Sequence, residues 1–205
     1  SSYLLLPDCR DHKKAFDGNT GPNTGGMGTI SPSGSVDESL RARICREVLV
    51  PFLAGIQKDG IAFRGMLFPG LMLTADGPKV LEFNCRWGDP ETQVLVRRLS
   101  SDLLPLLEAT ADGTLSEVSP EWDARAAVCV ILASGGYPGS YKKGQVISGL
   151  DAAGELEGVK VFHAGAKAVD GQIVTNGGRV LGVTALGSDL DEARRQGYLA
   201  ADRIF

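Results

Sequence analysis

Val80-Leu81-Glu82-Phe83-Asn84-Cys85-Arg86-Trp87-Gly88-Asp89-Pro90-Glu91-Thr92 reads as a strand that ends by presenting polar groups on one face. Side chains alternate across a strand, so Glu82, Asn84 and Arg86 share one face and Leu81, Phe83 and Cys85 share the other. A carboxylate beside a side-chain amide oxygen is a hard, all-oxygen pair, which suits Mg2+ better than zinc or copper. An arginine next to them suits a two-pronged contact with a phosphate or carboxylate. Together these groups suggest the floor of a nucleotide-phosphate site. From spacing alone, a strand end with a solvated polar face is the alternative. Pro90 suits the first turn of a helix, expected to run to about residue 99.

Upstream of this stretch, residues 64–74 and 78–84 read as two strands joined at Ala75-Asp76-Gly77, a hairpin-type turn. Pro69 removes a backbone donor, so its strand is expected at an edge or with a bulge. Ser35-Val36-Asp37-Glu38 has the capping-box pattern. The helix it opens carries Leu40, Ile44, Val48, Phe52 and Ile56 on one face and ends at Asp59-Gly60. Before it, residues 3–6 read as a short apolar strand closed by Pro7. Residues 8–34 read as a long polar, glycine-rich loop, a length that points to function.

Downstream, residues 102–111 read as a helix ending at Asp112-Gly113, and the polar segment 114–123 as a linker. This gives an α+β chain with a first domain over 1–113 and a second over 124–205. The second opens on a continuous apolar strand, 124–133, broken by Ser134-Gly135-Gly136-Tyr137-Pro138-Gly139. Strands are expected at 159–163, at 167–174 around Asp170-Gly171, and at 179–186. A last helix from Ser188 places Leu190, Ala193, Gly197, Ala201 and Ile204 on one face.

The 205 residues carry a formal charge of −4, which argues against a nucleic-acid partner. Hydrophobic content of 43% and charged content of 22% are ordinary for a globular protein. No apolar run approaches the ~20 residues that span a bilayer, so no membrane partner is expected. The chain opens on Ser1-Ser2, with no signal peptide, and reads as a fragment or a processed chain. Cys9, Cys45, Cys85 and Cys129 form no Cys-x-x-Cys pair; they read as small buried hydrophobes, with Cys85 in the core, in a reducing, cytoplasmic setting. Lys142 and Lys143 read as a solvated loop.

A second constellation is Asp11-His12-Lys13-Lys14 followed by Asp17-Gly18-Asn19-Thr20-Gly21-Pro22-Asn23-Thr24-Gly25-Gly26-Met27-Gly28. A glycine-rich loop can turn several backbone N–H groups toward one point and cradle an anion. Lys13 adds a positive charge for a phosphate, and Asp17 or Asn23 suits an amine or hydroxyl. A purely structural loop is the alternative. The segment is neither a Walker loop nor a Rossmann fingerprint.

With Asp-His-Lys, Thr-Gly-Pro-Asn-Thr-Gly-Gly-Met-Gly and Glu-Phe-Asn-Cys-Arg-x-Gly-Asp-Pro-Glu-Thr-Gln in this order, the chain resembles the phosphoribosylamine–glycine ligase family of ATP-grasp ligases. Gly135-Gly136-Tyr137-Pro138-Gly139, Val161-Phe162-His163-Ala164-Gly165 and Thr175-Asn176-Gly177-Gly178-Arg179-Val180 are similar to that family's C-terminal domain. The resemblance implies the second lobe of an ATP-grasp fold followed by a small β-rich, barrel-sandwich-like domain with a terminal helix. It implies ATP-dependent joining of glycine to 5-phosphoribosylamine through glycyl phosphate, in purine biosynthesis, with Mg2+ or Mn2+ as cofactor. Glu82 and Asn84 are the implied metal ligands, and Arg86 and Asp17 the implied catalytic residues. Asn23, Thr24, Gly25, Gly26, Met27 and Gly28 are implied at the substrates, and His12 and Lys13 near the ATP phosphates. Asp89 and Glu91 read equally as favouring a helix N-terminus. His163 and Arg179 read as structural, with a substrate-side role as the alternative.

Family members begin with a nucleotide-fold domain and a small lid that grips ATP, and neither has a counterpart here. A strand region that follows the final helix in the family is also lacking. The chain is therefore expected to be the C-terminal half, inactive when isolated. The alternatives are a non-catalytic fragment, half of a split enzyme that needs a separate N-terminal chain, and another ATP-grasp carboxylate–amine ligase. Arg64, Phe68-Pro69 and Trp87 depart from the family pattern.

Overall fold

The computed structural model describes residues 3–205. In chain order the first elements are β1 (Arg10–Asp11), β2 (Lys14–Phe16), β3 (Thr20–Asn23), β4 (Gly28–Ser31), α1 (Glu38–Ile44) and α2 (Val50–Lys58). The hairpin β5 (Phe68–Thr74) and β6 (Gly77–Asn84) follows, then α3 (Glu91–Arg98) and α4 (Leu103–Asp112). The rest comprises β7 (Ala126–Ala133), α5 (Leu150–Gly154), β8 (Val159–His163), β9 (Ala166–Val169), β10 (Gln172–Thr175), β11 (Arg179–Gly187) and α6 (Leu190–Ala201). The chain forms two compact units.

One unit comprises the segment ending at Leu6, Ser33–Gly88 and Ser101–Glu121. Its long helix starts on Asp37, whose carboxylate accepts the Leu40 N–H at 2.7 Å. The expected cap, Ser35, is displaced because Asp37 already takes the extended backbone that a cap requires. Between α1 and α2 the ladder loosens into a π turn, Cys45–Leu49. Pro51 explains it: a proline has no N–H and its ring crowds the carbonyl four residues back. On the hairpin, Phe83 sits 4.8 Å from Phe52 of α2, centroid to centroid. The register shifts between Gly70 and Leu71, where Leu81 is the extra residue, so the bulge lies on β6, the partner of the strand that holds Pro69. Arg64 donates to the Ala111 carbonyl at 2.6 Å, a cation at the C-terminal end of α4.

The other unit comprises Pro7–Pro32, Asp89–Ser100 and Trp122–Phe205. Its centre is an antiparallel sheet in the order β1-β4-β7-β11-β8. Strands from both sides of residues 114–123 pair in this one sheet, so compactness divides the chain differently from that stretch. On β7, Ala127, Cys129 and Ile131 pack with Val94 of α3 on one face. On the opposite face, Val183 and Ala185 of β11 pack with Ala200 and Ala201 of α6 and with Ala153 of α5. Helices on both faces make the strands continuously apolar, and each fully buried valine contributes about 1.5–3 kcal/mol. The final helix begins on Asp189, whose carboxylate accepts the Glu192 N–H at 2.8 Å.

Three expectations are corrected. Residues 3–6 form no strand, because no neighbour pairs with them. Residues 8–34 are not one loop: β1 and β4 join the central sheet, and β2 and β3 form a hairpin of their own. All four cysteines are free, but only Cys129 is buried, and Cys85 is exposed because β6 ends at Asn84 and residue 85 lies in the bend beyond the strand.

Candidate functional site

The first group of site residues belongs to the hairpin unit. With Phe83 turned toward α2, alternation sends Glu82 and Asn84 to the other face of β6. There Asn84 Nδ2 donates to Glu82 Oε1 at 3.1 Å. The two oxygen-bearing side chains thus converge as the spacing predicts, and Glu82 is exposed. Were this pair to hold a divalent cation, the other coordination positions would fall to phosphate oxygens and water. Among the described residues there is no cluster of three or more His, Cys, Asp or Glu side chains that could hold a metal ion. Arg86 is exposed and donates Nη1–H to the Trp87 carbonyl at 2.9 Å.

The second group belongs to the sheet unit. His12 and the start of β4 are stitched together: the His12 N–H donates to Gly28 O at 2.9 Å and the Met27 N–H to His12 O at 2.8 Å. His12 Nδ1 lies 3.2 Å from Gly28 O. A carbonyl only accepts, so this contact places the proton on Nδ1. Lys13 Nζ lies 2.5 Å from Asp11 Oδ2, so its charge is already engaged by a carboxylate. Asp17 stands at the tip of the β2–β3 hairpin, at the opposite end from residues 24–28, with its carbonyl accepting from Thr20 Oγ1 at 2.8 Å.

The glycine loop does not cradle an anion with its amides at 24–27. The Thr24 N–H donates to Lys13 O at 2.7 Å, that of Gly25 to Tyr137 Oη at 3.1 Å, and that of Gly26 to Thr24 Oγ1 at 3.0 Å. Met27 is committed to His12 as above. The glycines serve close approach instead. A Cβ at Gly25 would lie 2.8 Å from Arg179 Cζ, and one at Gly26 would lie 2.6 Å from both Asp11 Oδ1 and Pro90 Cδ.

Residues read from the sequence as structural or as favouring a helix start complete this cluster. Arg179 Nη1 donates to Gly25 O at 3.0 Å and to Asp89 O at 2.8 Å, and Nη2 donates to Asp89 Oδ2 at 3.0 Å. Asp89 Oδ1 accepts from Gln93 Nε2 at 2.8 Å, which ties it to α3. Glu91 is 5% exposed; burial and then the Asp11 charge push its carboxyl above the ordinary range, with Lys13 opposing. Burial likewise pushes the Cys129 thiol up to about 12. Tyr137 packs where a Cβ on Gly178 would strike its ring. Two of these residues carry a sequence signal, since Tyr137 and Arg179 each follow a glycine pair, Gly135–Gly136 and Gly177–Gly178.

The fold is that of the ATP-grasp ligases. It superposes on phosphoribosylamine–glycine ligase from Thermotoga maritima with a TM-score of 0.85 and 38% identity, covering 100% of this chain and 50% of that one. N5-carboxyaminoimidazole ribonucleotide synthetase from the same organism shares the fold alone, at a TM-score of 0.58 and 16% identity over 86% of this chain and 44% of that one. The phosphoribosylglycinamide synthetase ATP-grasp (A) domain matches residues 1–92 and the C domain of the same synthetase matches residues 127–205. The chain belongs to the phosphoribosylglycinamide synthetase family. It is 50% identical over 204 residues to phosphoribosylamine–glycine ligase of Rhodopirellula baltica and 54% identical over 202 residues to that of Allochromatium vinosum. These alignments take in 99% and 98% of this chain and 47% of each relative, so the chain spans about half the length of the curated relatives it matches.

Proposed function

We propose that this chain carries the metal side and the acceptor side of a phosphoribosylamine–glycine ligase. The reaction would join glycine to 5-phosphoribosylamine at the expense of ATP, through glycyl phosphate, releasing ADP and phosphate. The observation that carries the reading is identity of about half over almost the whole chain to ligases of that name. The convergence of Glu82 and Asn84 supports it independently.

Glu82 and Asn84 would hold Mg2+ or Mn2+, which would supply charge neutralisation for the ATP phosphates. Arg86 lies in the bend that follows β6, two residues beyond Asn84 and off the strand on which it was expected, and would meet charge developing on the transferred phosphoryl group. In the sheet unit, residues 23–28 would border glycine and the amine acceptor, with the Asn23 and Thr24 side chains and the Met27 flank as the contacting groups. His12 and Lys13 would bear on phosphate, while Asp17, at the far end of the hairpin, stands away from residues 24–28. The chemistry asked of the chain is positioning and charge stabilisation. Four free cysteines fit a reducing, cytoplasmic compartment. Among the described residues no helix is long and apolar enough to cross a membrane. The other half of the relatives' length would supply the grip on ATP, as one chain or as a separate partner.

The test joins the chain in frame to the N-terminal half of a relative, and in parallel mixes the two as separate chains. Glycine-dependent ADP release that needs phosphoribosylamine is expected in the joined form. Activity in the mixture as well would identify a split enzyme. Turnover with a different amine or carboxylate, and none with these, would refute the assignment.

A further inference from the structure

Arg179 opens β11, yet its guanidinium reaches two segments far away in sequence. Nη1 donates to the carbonyls of Asp89 at 2.8 Å, Gly25 at 3.0 Å and Gly26 at 3.4 Å, and Nη2 to Asp89 Oδ2 at 3.0 Å. The side chain is 20% exposed. Gly25 has no Cβ exactly where one would meet the guanidinium, so residues 25 and 179 are matched in shape as well as in charge. A second tie comes from the same region: Tyr137, packed beneath Gly178, accepts the Gly25 N–H at 3.1 Å. The Gly25 peptide is thereby held at its carbonyl by Arg179 and at its amide by Tyr137.

A planar fork that bonds several peptide carbonyls and a carboxylate fixes geometry in a way a lysine ammonium does not. The bonds run to main-chain atoms, so they set where the backbone of residues 25–26 and of Asp89 stands. Asp89 in turn holds Gln93 on the first turns of α3.

We propose that Arg179 is a positioning residue for the acceptor side: from β11 it sets the loop at 24–28 and the start of α3 together, and it acts on turnover through them. The proposal rests on the ligase reading given above. Three variants test it in the chain joined to a relative's N-terminal half: Arg179→Ala, Arg179→Lys and Asp89→Asn. Arg179→Ala is expected to raise the KM for glycine or phosphoribosylamine roughly tenfold or more, with the KM for ATP changed by no more than about twofold. Arg179→Lys keeps the charge and loses the fork, so it should recover only part of the loss. Asp89→Asn should show a smaller change in the same direction.

The second readout needs no turnover: amide exchange at residues 25–27 should accelerate in Arg179→Ala of the chain itself. Unchanged exchange there overturns the proposal, whatever the activity. So does an unchanged KM for both acceptor-side substrates in an active enzyme, or a loss of every kinetic constant in proportion to the folded fraction. Absence of turnover in the unsubstituted enzyme would count against the ligase reading, and the exchange result would still decide the role of Arg179.

Discussion

Asn84 donates its side-chain N–H to Glu82 Oε1 at 3.1 Å on one face of β6. The pair satisfies itself, and a divalent cation would require the same amide to turn its oxygen toward the carboxylate. Glu82→Gln is therefore expected to weaken Mn2+ binding in the presence of ADP roughly tenfold or more, read from the free-ion paramagnetic resonance signal in the joined enzyme. Asn84→Asp keeps an oxygen ligand and should weaken it less than Asn84→Ala. Unaltered Mn2+ binding in Glu82→Gln would remove this pair as the metal site.

The cysteines separate by environment. Burial pushes the thiols of Cys9 and Cys129 up to about 12, while Cys85 is exposed. The thiolate is the reactive form, so at pH 8 a thiol reagent should label Cys85 first and Cys129 only after unfolding. The sign of the stability effect follows. The folded chain keeps these two protons when the unfolded chain begins to lose them, so stability present below about pH 9 declines as pH rises from there toward 12. Cys85→Ser should abolish the fast labelling phase. Equal labelling rates for Cys129 and Cys85 in the folded chain would contradict the burial argument.

Two glycines share a backbone conformation and differ in their surroundings. Gly144 and Gly149 both have φ of 80°, but nothing approaches a Cβ at Gly144, whereas one at Gly149 would overlap the Arg203 carbonyl. Alanine at 144 should cost only the left-handed backbone, about 1 kcal/mol. Alanine at 149 adds an overlap with the segment whose end, Phe205, pairs with Ser148, and overpacking of that kind costs about 1–3 kcal/mol more. Denaturant unfolding of both variants checks the order; a Gly149→Ala chain as stable as Gly144→Ala would show that the C-terminal segment does not pack there.

Much of this was legible in the sequence because side chains alternate along a strand, and the bulge at Leu81 falls before Glu82 rather than between it and Asn84. The period of two on β6 set Glu82 and Asn84 side by side, and the uninterrupted apolar run of β7 announced a strand covered on both faces. The glycine loop was legible as important and misread in its physics. Glycine reports that something comes close, and sequence does not say whether a phosphate, Arg179 or the Asp11 carboxylate is the neighbour. Asp37 prevailed over Ser35 because capping depends on a backbone angle that one residue of offset decides. The place of β1 and β4 in a sheet with β7 was invisible for another reason: the pairings join residues about a hundred positions apart, and no local pattern encodes them.

Glu91 stands first in α3 and is 5% exposed, with its carboxyl raised by burial and then by the nearby Asp11 charge. A carboxyl raised on folding binds its proton more tightly in the folded chain. Its contribution to stability is complete at low pH, below the ordinary value of 4.5, and is lost as pH rises through the folded value. The helix N-terminus and Lys13 favour the charge but do not fully offset desolvation. Glu91→Gln keeps the shape and removes the charge that burial penalises. It is therefore expected to melt at the same temperature as the unsubstituted chain or higher at pH 7.5, with the advantage shrinking as pH falls toward 4. Scanning calorimetry across that range reads the effect directly. A Glu91→Gln chain that is less stable at pH 7.5 than at pH 4, relative to the unsubstituted chain, would mean that Lys13 and the α3 N-terminus outweigh burial at this site.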